Sequence, residues 1–238
     1  MLMIYSNQQI MDTYLQYPPP GNQPPANSSS PSSRCYISGP FYEAVYKLNG
    51  CFNPYHITDV CPFLEDRLLY SPPYVLQPYF NWTDVKKALH APLDKWWWEC
   101  SLTNVFIGKY EDSEGPEGVN DRSPDPIQGV LPQVIEGTNR VLISNADWDY
   151  LLMTNGTLLS IQNMTWNDAL GFQEEPSKEF IVPIPARYSG PQGIMGKQHY
   201  ERGLMWVDSY QSGHMQPQYQ PRAALRHLEW LLGRTDDL

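Results

Sequence analysis

The sequence predicts an α/β protein in which helices cover both faces of a sheet. The run Arg140-Val-Leu-Ile-Ser144 is apolar without alternation, a pattern typical of a strand buried on both faces of a parallel sheet. Two further strand patterns, at 194–200 and 203–209, flank a turn at 201–203, and a helix pattern follows at 221–232. This succession of strand and helix patterns favours the α/β class.

Several helices have recognisable ends. Residues 41–48 give one or two helical turns, and weaker helix patterns occur at 127–136 and 151–162. Residues 81–90 form a short amphipathic pattern that Asn81 or Thr83 can cap. In the helix at 221–232, Pro221 suits the first turn and Gly233 can end it. An apolar stripe runs along this helix: Ala224, Leu225, Leu228, Leu231 and Leu232.

Three regions follow from local composition. Residues 18–33 are rich in Pro, Ser and Asn, so residues 1–34 are predicted to form a flexible segment. Residues 35–110 contain every cysteine and the helix at 81–90, and are predicted to form an irregular, disulfide-containing insertion or cap region with a connecting helix. Residues 111–238 carry the strand and helix patterns of the main α/β domain.

Composition excludes several classes of function. The 238 residues have a formal net charge of −10, and no stripe of Lys and Arg is present, which argues against a nucleic-acid partner. No apolar run is long enough to span a membrane. The histidines outside the loop at 210–221 have no metal-binding spacing, so neither a metal nor another cofactor is expected.

Sequons and cysteines favour a protein of the secretory pathway, secreted or vacuolar. Four Asn-x-Ser/Thr sequons are candidate glycosylation sites: Asn27, Asn81, Asn155 and Asn163. The four cysteines form no CxxC pair and are candidate disulfide partners, with buried free thiols as the alternative: Cys35, Cys51, Cys61 and Cys100. The N-terminus has no basic region and is not a signal peptide, so the start of a longer protein is expected to be missing.

Two short stretches could carry chemistry. Asp147 and Asp149 follow the strand at 140–144, at the sheet edge where α/β proteins build their sites, although turns are also rich in Asn and Asp. His214 follows Gly213, which permits unusual backbone angles, on a loop stiffened by proline before the last helix. An imidazole suits proton transfer near neutral pH, although a structural histidine is the alternative.

Several motifs, in order, resemble those of the serine carboxypeptidases of the α/β-hydrolase fold, and of filamentous-fungal members most. The family's acid motif is similar to VLIYxGDxDxxCN and is matched from Val141 to Tyr150, with its last aspartate at Asp149. The family's histidine motif, GHMVPxDQPxxAL, is matched at 213–225. Upstream, residues 79–91 resemble YFNRxDVQKALHA, and the Cys-Ser at 100–101 resembles the family's CS. The resemblance covers residues 35–234 and implies the C-terminal half of an α/β-hydrolase sheet.

The resemblance implies a Ser-Asp-His enzyme that releases C-terminal residues from peptides by acyl transfer. His214 would be the general base and then the general acid, and Asp149 would orient it. Leu151, Leu152 and Met215 would line the side-chain pocket before the scissile bond. The family's Cys-Asn after the acid is replaced here by Leu152-Met153, a difference that affects specificity.

The nucleophile is absent from these 238 residues. No Gly-x-Ser-x-Gly occurs, although the family has a motif similar to GESYGG in its N-terminal half. We therefore expect this chain alone to be inactive, with a separate or missing N-terminal half supplying the serine. The alternative is a non-catalytic remnant or interaction protein. The resemblance also implies that Cys100 bonds to that other half, which leaves Cys35–Cys61 and Cys51–Cys61 as open pairings.

Overall fold

A computed structural model describes residues 2–23, 38–59, 79–97, 124–184 and 190–238. It confirms the α/β class. Four strands form one mixed sheet in the order β1-β6-β5-β4: β1 (Val141–Ala146), β4 (Lys178–Val182), β5 (Gly193–Glu201) and β6 (Leu204–Ser209). β1 pairs with β6 in parallel, whereas β5 is antiparallel to both of its neighbours. A separate two-stranded ribbon joins β2 (Thr165–Trp166) and β3 (Ala169–Leu170).

Seven α-helices occur among the described residues. Two precede the middle of the chain, α1 (Leu2–Tyr14) and α2 (Ser38–Leu48), and α3 spans Thr83–Ala88. Around the sheet lie α4 (Val130–Thr138), α5 (Thr154–Gln162), α6 (Gln216–Tyr219) and α7 (Pro221–Leu231). Short 3-10 turns occupy Tyr79–Asn81 and Pro126–Gln128. None of the helices in the described ranges is long and apolar enough to cross a membrane.

Strand β6 is the centre of the fold, with a core on each of its faces. Leu204 and Trp206 join a cluster with residues of α4 and α5, whereas Met205 and Val207 join a second cluster with residues of α7 and β4. Because successive side chains of a strand point to opposite faces, a continuous apolar run gives β6 two buried faces. Helices therefore cover both sides of the sheet, as the sequence predicts.

The predicted hairpin between the last two strands is confirmed. β5 and β6 are joined at Arg202 and Gly203, which have φ values of 51° and 90°. Positive φ at both central residues is typical of the tight turns that match the twist of paired strands. A side chain at position 203 would also lie 2.8 Å from Oδ1 of Asn139.

The N-terminal region differs from its predicted description as a flexible segment. Residues 2–14 form α1, and Leu15 and Tyr17 pack against the core beside α5. Nε2 of Gln162 donates to the Gln16 carbonyl, and the Gln23 amide donates to Oδ1 of Asn163. Residues 24–37 lie outside the described residues, and so does the predicted boundary at 34/35.

The compact units also differ from the predicted regions. One unit comprises residues 1–60 and 124–238, and the other comprises residues 61–123. The segment at 38–59, predicted to belong with the insertion, is part of the unit that contains the sheet. In the second unit only residues 79–97 are described, and the predicted boundary at 110/111 lies outside them.

Three local expectations are wrong. The first four residues of β1 are half-buried rather than buried, because β6 is its only strand partner among the described residues. Leu225, Leu228, Leu231 and Leu232 of the α7 stripe are 42–56% exposed, while Ala223, His227 and Trp230 face the core. Neither Asn81 nor Thr83 caps α3, whose cap position is Trp82.

Candidate active site

The site lies where the parallel strands β1 and β6 end together. Ala146 and Ser209, the last residues of the two strands, are register partners. Residues 147–150 follow β1 and are called the acid turn, and residues 210–215 follow β6 and are called the histidine loop. Carboxyl ends of neighbouring parallel strands meet at one edge of a sheet, so the two segments are adjacent in space.

The acid turn and the histidine loop meet at Asp149 and His214. Oδ2 of Asp149 lies 2.9 Å from Nδ1 of His214. The other carboxylate oxygen, Oδ1, accepts hydrogen bonds from the backbone amides of Leu151 at 2.8 Å and Leu152 at 3.1 Å. The Asp149 side chain is 6% exposed. Its position is fixed by these three hydrogen bonds. The expected hydrogen bond between the two residues is present.

This contact determines which nitrogen of His214 is available for chemistry. An ionised carboxylate only accepts hydrogen bonds, so Nδ1 of His214 carries the hydrogen and donates a hydrogen bond to Oδ2 of Asp149. Nε2 is then the acceptor, and among the described residues the hydrogen bond of the ring is the one made by Nδ1. The side chain of His214 is 32% exposed, so the described part of the chain leaves it accessible. This is the arrangement in which an imidazole can take a proton from a nucleophile.

Asp147 has a different role from Asp149. Its Oδ1 accepts a hydrogen bond from the Ser212 amide at 3.3 Å, and its own amide donates to the Ser209 carbonyl. Burial raises the pKa of Asp147, and hydrogen bonds from backbone amides, including those of Ser212 and Gln211, oppose the rise. Asp147 therefore ties the acid turn to the histidine loop and does not contact the imidazole. Of these two aspartates, it is Asp149 that contacts the ring of His214.

A third carboxylate nearby was not identified in the sequence. Asp208, on β6, accepts a hydrogen bond from Oγ1 of Thr154 at 2.9 Å. Burial raises its pKa to about 6; the Thr154 hydrogen bond lowers it, and the negative charge of Asp147 adds to the rise. A single aspartate at the polar end of an apolar strand gives no signal in a sequence, because its burial depends on the segments that pack over it.

A cavity of about 400 Å³ lies on the β1 side of His214. Its walls come from β1, α6 and α7, including Leu142, Ser144, Gln216 and Leu228. Nε2 of Gln216 donates to the Ser144 hydroxyl, so the polar side of the cavity is linked to β1. The wall formed by α7 is mainly apolar and consists of Ala224, Leu228 and Leu231 together with His227.

The predicted pocket residues lie beside the site. Leu151 and Leu152 follow the acid turn and are 44% and 60% exposed, and Met215, half-buried, follows His214. The Leu152 carbonyl accepts a hydrogen bond from Nδ2 of Asn145, whose Oδ1 accepts one from the Trp206 indole. This chain of contacts anchors the backbone beneath the leucines to the core.

Other candidate residues have varied environments. Asn155 is exposed and Asn163 is half-buried, whereas Asn27 lies outside the described residues. Asn81 is 4% exposed, with its amide donating to the Trp97 carbonyl and accepting from the Trp97 amide. Cys51 is disulfide-bonded; Cys35, Cys61 and Cys100 lie outside the described residues. Across the ranges that the structure describes, no cluster of three or more His, Cys, Asp or Glu side chains could hold a metal ion.

A glycine is needed at position 213 for a reason that differs from the predicted one. Its φ is not positive, so it is not required for an unusual backbone angle. A Cβ at this position would lie 2.2 Å from the Tyr55 carbonyl oxygen and 2.8 Å from Cδ2 of His56. The glycine is needed because the segment around Tyr55 passes directly against the histidine loop.

The chain belongs to the serine carboxypeptidase family, whose family model matches residues 7–234. Serine-type carboxypeptidase F of Aspergillus niger is 49% identical over 97% of this chain and 46% of its own length. A probable serine carboxypeptidase of Arthroderma benhamiae is 43% identical over 96% of this chain and 42% of its own length. This chain therefore spans less than half the length of these curated relatives.

A solved structure supports the fold. The crystal structure of a prohormone-processing carboxypeptidase from Saccharomyces cerevisiae aligns with a TM-score of 0.52 at 23% sequence identity. The alignment covers 77% of this chain and 36% of that chain. The two chains share the α/β-hydrolase architecture over the aligned part.

Proposed function

We propose that this chain forms the C-terminal part of a serine-type carboxypeptidase, in which His214 and Asp149 serve a serine that residues outside these 238 provide. The proposal rests on one observation above all: the hydrogen bond of 2.9 Å between Oδ2 of Asp149 and Nδ1 of His214. Membership of the serine carboxypeptidase family gives the reaction class.

In the proposed reaction, Nε2 of His214 takes the proton of the serine hydroxyl as the serine oxygen attacks the last peptide bond. The imidazolium then gives that proton to the leaving amino acid, and a second cycle with water releases the remaining peptide. Asp149 keeps Nδ1 protonated and stabilises the imidazolium. Leu151, Leu152 and Met215 are proposed to contact the side chain of the substrate before the scissile bond.

The half that carries the serine is proposed to cover the open side of β1. β1 has only one strand partner among the described residues, and its first four residues are half-buried. Leu228 and Leu231 of α7 line the cavity beside His214 and are 50% and 42% exposed. Exposed apolar side chains grouped in this way mark a candidate protein interface. A partner on this face would bring its serine towards the imidazole.

The experiment is complementation. This chain is co-expressed with the N-terminal half of the Aspergillus niger carboxypeptidase F, and release of the terminal amino acid from an N-blocked dipeptide is measured. We expect no hydrolysis by either half alone and hydrolysis by the pair. Asp149→Asn should lower kcat on the order of 10⁴-fold, because the histidine loses its orienting acceptor. His214→Ala should abolish the activity, whereas the exposed His90→Asn should leave it unchanged.

Two outcomes decide against the proposal. Hydrolysis by this chain alone would show that the nucleophile lies within it. A complemented activity that survives His214→Ala would show that the histidine is not the base. The alternative, a non-catalytic remnant, is favoured if the two halves co-purify without activity. Leu228→Glu should prevent association, whereas Leu48→Glu on α2, where the residue is 90% exposed, should not.

We also propose passage through the secretory pathway, to a secreted or vacuolar destination. The support is the sequons together with the disulfide at Cys51. Asn155 is exposed and is the acceptor we expect to be glycosylated, with Asn27 and Asn163 as further candidates. Asn81 is unsuited to carry a glycan in the folded protein, since both atoms of its amide are bonded to Trp97. Mass spectrometry after endoglycosidase treatment tests each position.

A further inference from the structure

We propose that residues 53–59, called the clamp segment, act as a positioning element that holds Asp149 and His214 in register. The proposal rests on the proposed function, since it names a part of the same site. Nothing in the motifs of the acid or the histidine points to this segment, which is distant from both in the sequence.

The clamp segment is bonded to the acid turn on both sides of Asp149. The Ile57 amide donates to the Trp148 carbonyl at 3.0 Å. The Tyr150 amide donates to the Pro54 carbonyl at 3.1 Å. Because these bonds involve the residues directly before and after Asp149, they fix the direction in which its side chain leaves the backbone.

The clamp segment is also bonded to His214. The His214 amide donates to the Tyr55 carbonyl at 2.7 Å, and the Tyr55 ring lies edge-on to the imidazole with 5.6 Å between ring centroids. Gly213 allows this approach, since a Cβ there would lie 2.2 Å from the same carbonyl oxygen. One short segment therefore holds the backbone of both members of the pair.

The ring of His56 fills the space between the two loops. It stacks on Tyr219 of α6 with 4.1 Å between centroids, and it meets Trp148 of the acid turn edge-on at 5.0 Å. His56 is 8% exposed. The ring thus packs against residues that follow His214 and precede Asp149, which opposes any sliding of one loop past the other.

Internal hydrogen bonds give the clamp segment a fixed shape. Both oxygens of Asp59 are used: Oδ2 accepts from Nδ2 of Asn53 at 2.8 Å, and Oδ1 lies 2.8 Å from Nδ1 of His56. Oδ1 of Asn53 accepts from the Tyr55 amide at 3.0 Å. A loop closed by side chains in this way presents its carbonyls in one arrangement. Asp59 is therefore the residue whose removal loosens the clamp without touching either loop.

The test uses this chain and needs no peptidase activity. Proton NMR detects the far-downfield Nδ1–H signal of His214, assigned by its loss in His214→Gln, and amide hydrogen exchange reports the donors Ile57, Tyr150 and His214. We expect Asp59→Ala to remove or broaden the imidazole signal and to speed exchange at the three amides by at least about 10-fold, which corresponds to one lost hydrogen bond. Asp59→Asn, which keeps one acceptor, should restore part of both. Gly213→Ala, acting from the other side, should also remove the signal.

The matched control is Asp125→Ala. Asp125 also accepts a local hydrogen bond, here from the Ile127 backbone amide at 3.2 Å, and we expect this variant to keep the imidazole signal. An unchanged signal and unchanged exchange in Asp59→Ala would overturn the proposal. So would loss of exchange protection throughout β6, because the segment would then support the whole fold and not the pair. Failure of the complementation experiment alone would count against the proposed function and would leave this readout intact.

Discussion

His227 lies on α7 and is 7% exposed. Its ring packs against that of Phe180, with 5.1 Å between the ring centroids. Burial lowers its pKa from 6.5 to about 4. Below pH 6.5 the unfolded chain binds a proton at this residue, whereas the folded chain remains neutral until about pH 4. Each pH unit in that window favours the unfolded state by about 1.4 kcal/mol. Between pH 7 and pH 5, His227 should therefore reduce the free energy of unfolding by about 2 kcal/mol.

The assay is urea unfolding followed by tryptophan fluorescence at pH 7 and pH 5, comparing the wild type with His227→Leu. The variant should lack the loss of about 2 kcal/mol that His227 causes in acid. At pH 7 it should be at least as stable as the wild type, because Nε2 of His227 is buried without a hydrogen-bond partner among the described residues. His90→Asn removes an exposed histidine and should retain the wild-type change with pH. An equal change in wild type and His227→Leu would refute the reasoning.

Three further variants test other parts of the fold. Asp208→Asn should raise the free energy of unfolding at pH 7 by up to about 3 kcal/mol, because burial raises the pKa of the Asp208 carboxyl to about 6. The gain should shrink towards pH 5, where Asp208 itself is protonated. A gain that does not change with pH would contradict this. Arg140→Met loses hydrogen bonds to two backbone carbonyls, including that of Trp230 at 2.7 Å, and a cation–π contact 4.4 Å from the centroid of the Trp230 ring. We expect the free energy of unfolding to fall by about 2–4 kcal/mol. An unchanged Tm would count against this. Gly196→Ala places a Cβ 2.0 Å from the Asp208 carbonyl oxygen and should destabilise the β5–β6 pair by about 1–3 kcal/mol. The control is Gly129→Ala, which has open space around it and should not be destabilised. Equal Tm values for the two variants would contradict the packing argument.

Local patterns predict those parts of the structure that local chemistry determines. The turn at Arg202 and Gly203 was predictable because a glycine between two strand patterns suits positive φ. The contact of Asp149 with His214 was predictable because both follow strands that end at one edge of a sheet. Each depends on a residue type whose side chain or backbone has a special property.

The clamp segment was not predictable in the same way. It is bonded to the acid turn and the histidine loop through backbone carbonyls and amides, which every residue has, so its residues show no pattern in the sequence. Gly213 illustrates the limit: the sequence shows a glycine before His214, but the neighbour that requires it, Tyr55, is remote along the chain. Only the folded arrangement shows why a side chain is excluded there.

The sequence also could not predict which face of α7 packs against the sheet. The leucine stripe identified an amphipathic helix, yet the face that packs on the sheet carries Ala223, His227 and Trp230. A helix with apolar residues on two sides does not reveal which side meets which partner. The exposed leucines show that periodicity identifies apolar faces but not the order in which layers cover them.

The clamp segment has a consequence for how the molecule is assembled during synthesis. Asp149 and His214 are 65 residues apart, and the residues that hold them in place leave the ribosome long before either. β1 and β6, the strands that bring the pair together, are equally remote and parallel, an arrangement that forms slowly because long loops must close first. The clamp segment therefore cannot hold both members of the pair until the histidine loop has emerged. The contact between Asp149 and His214 is expected to form only at that point.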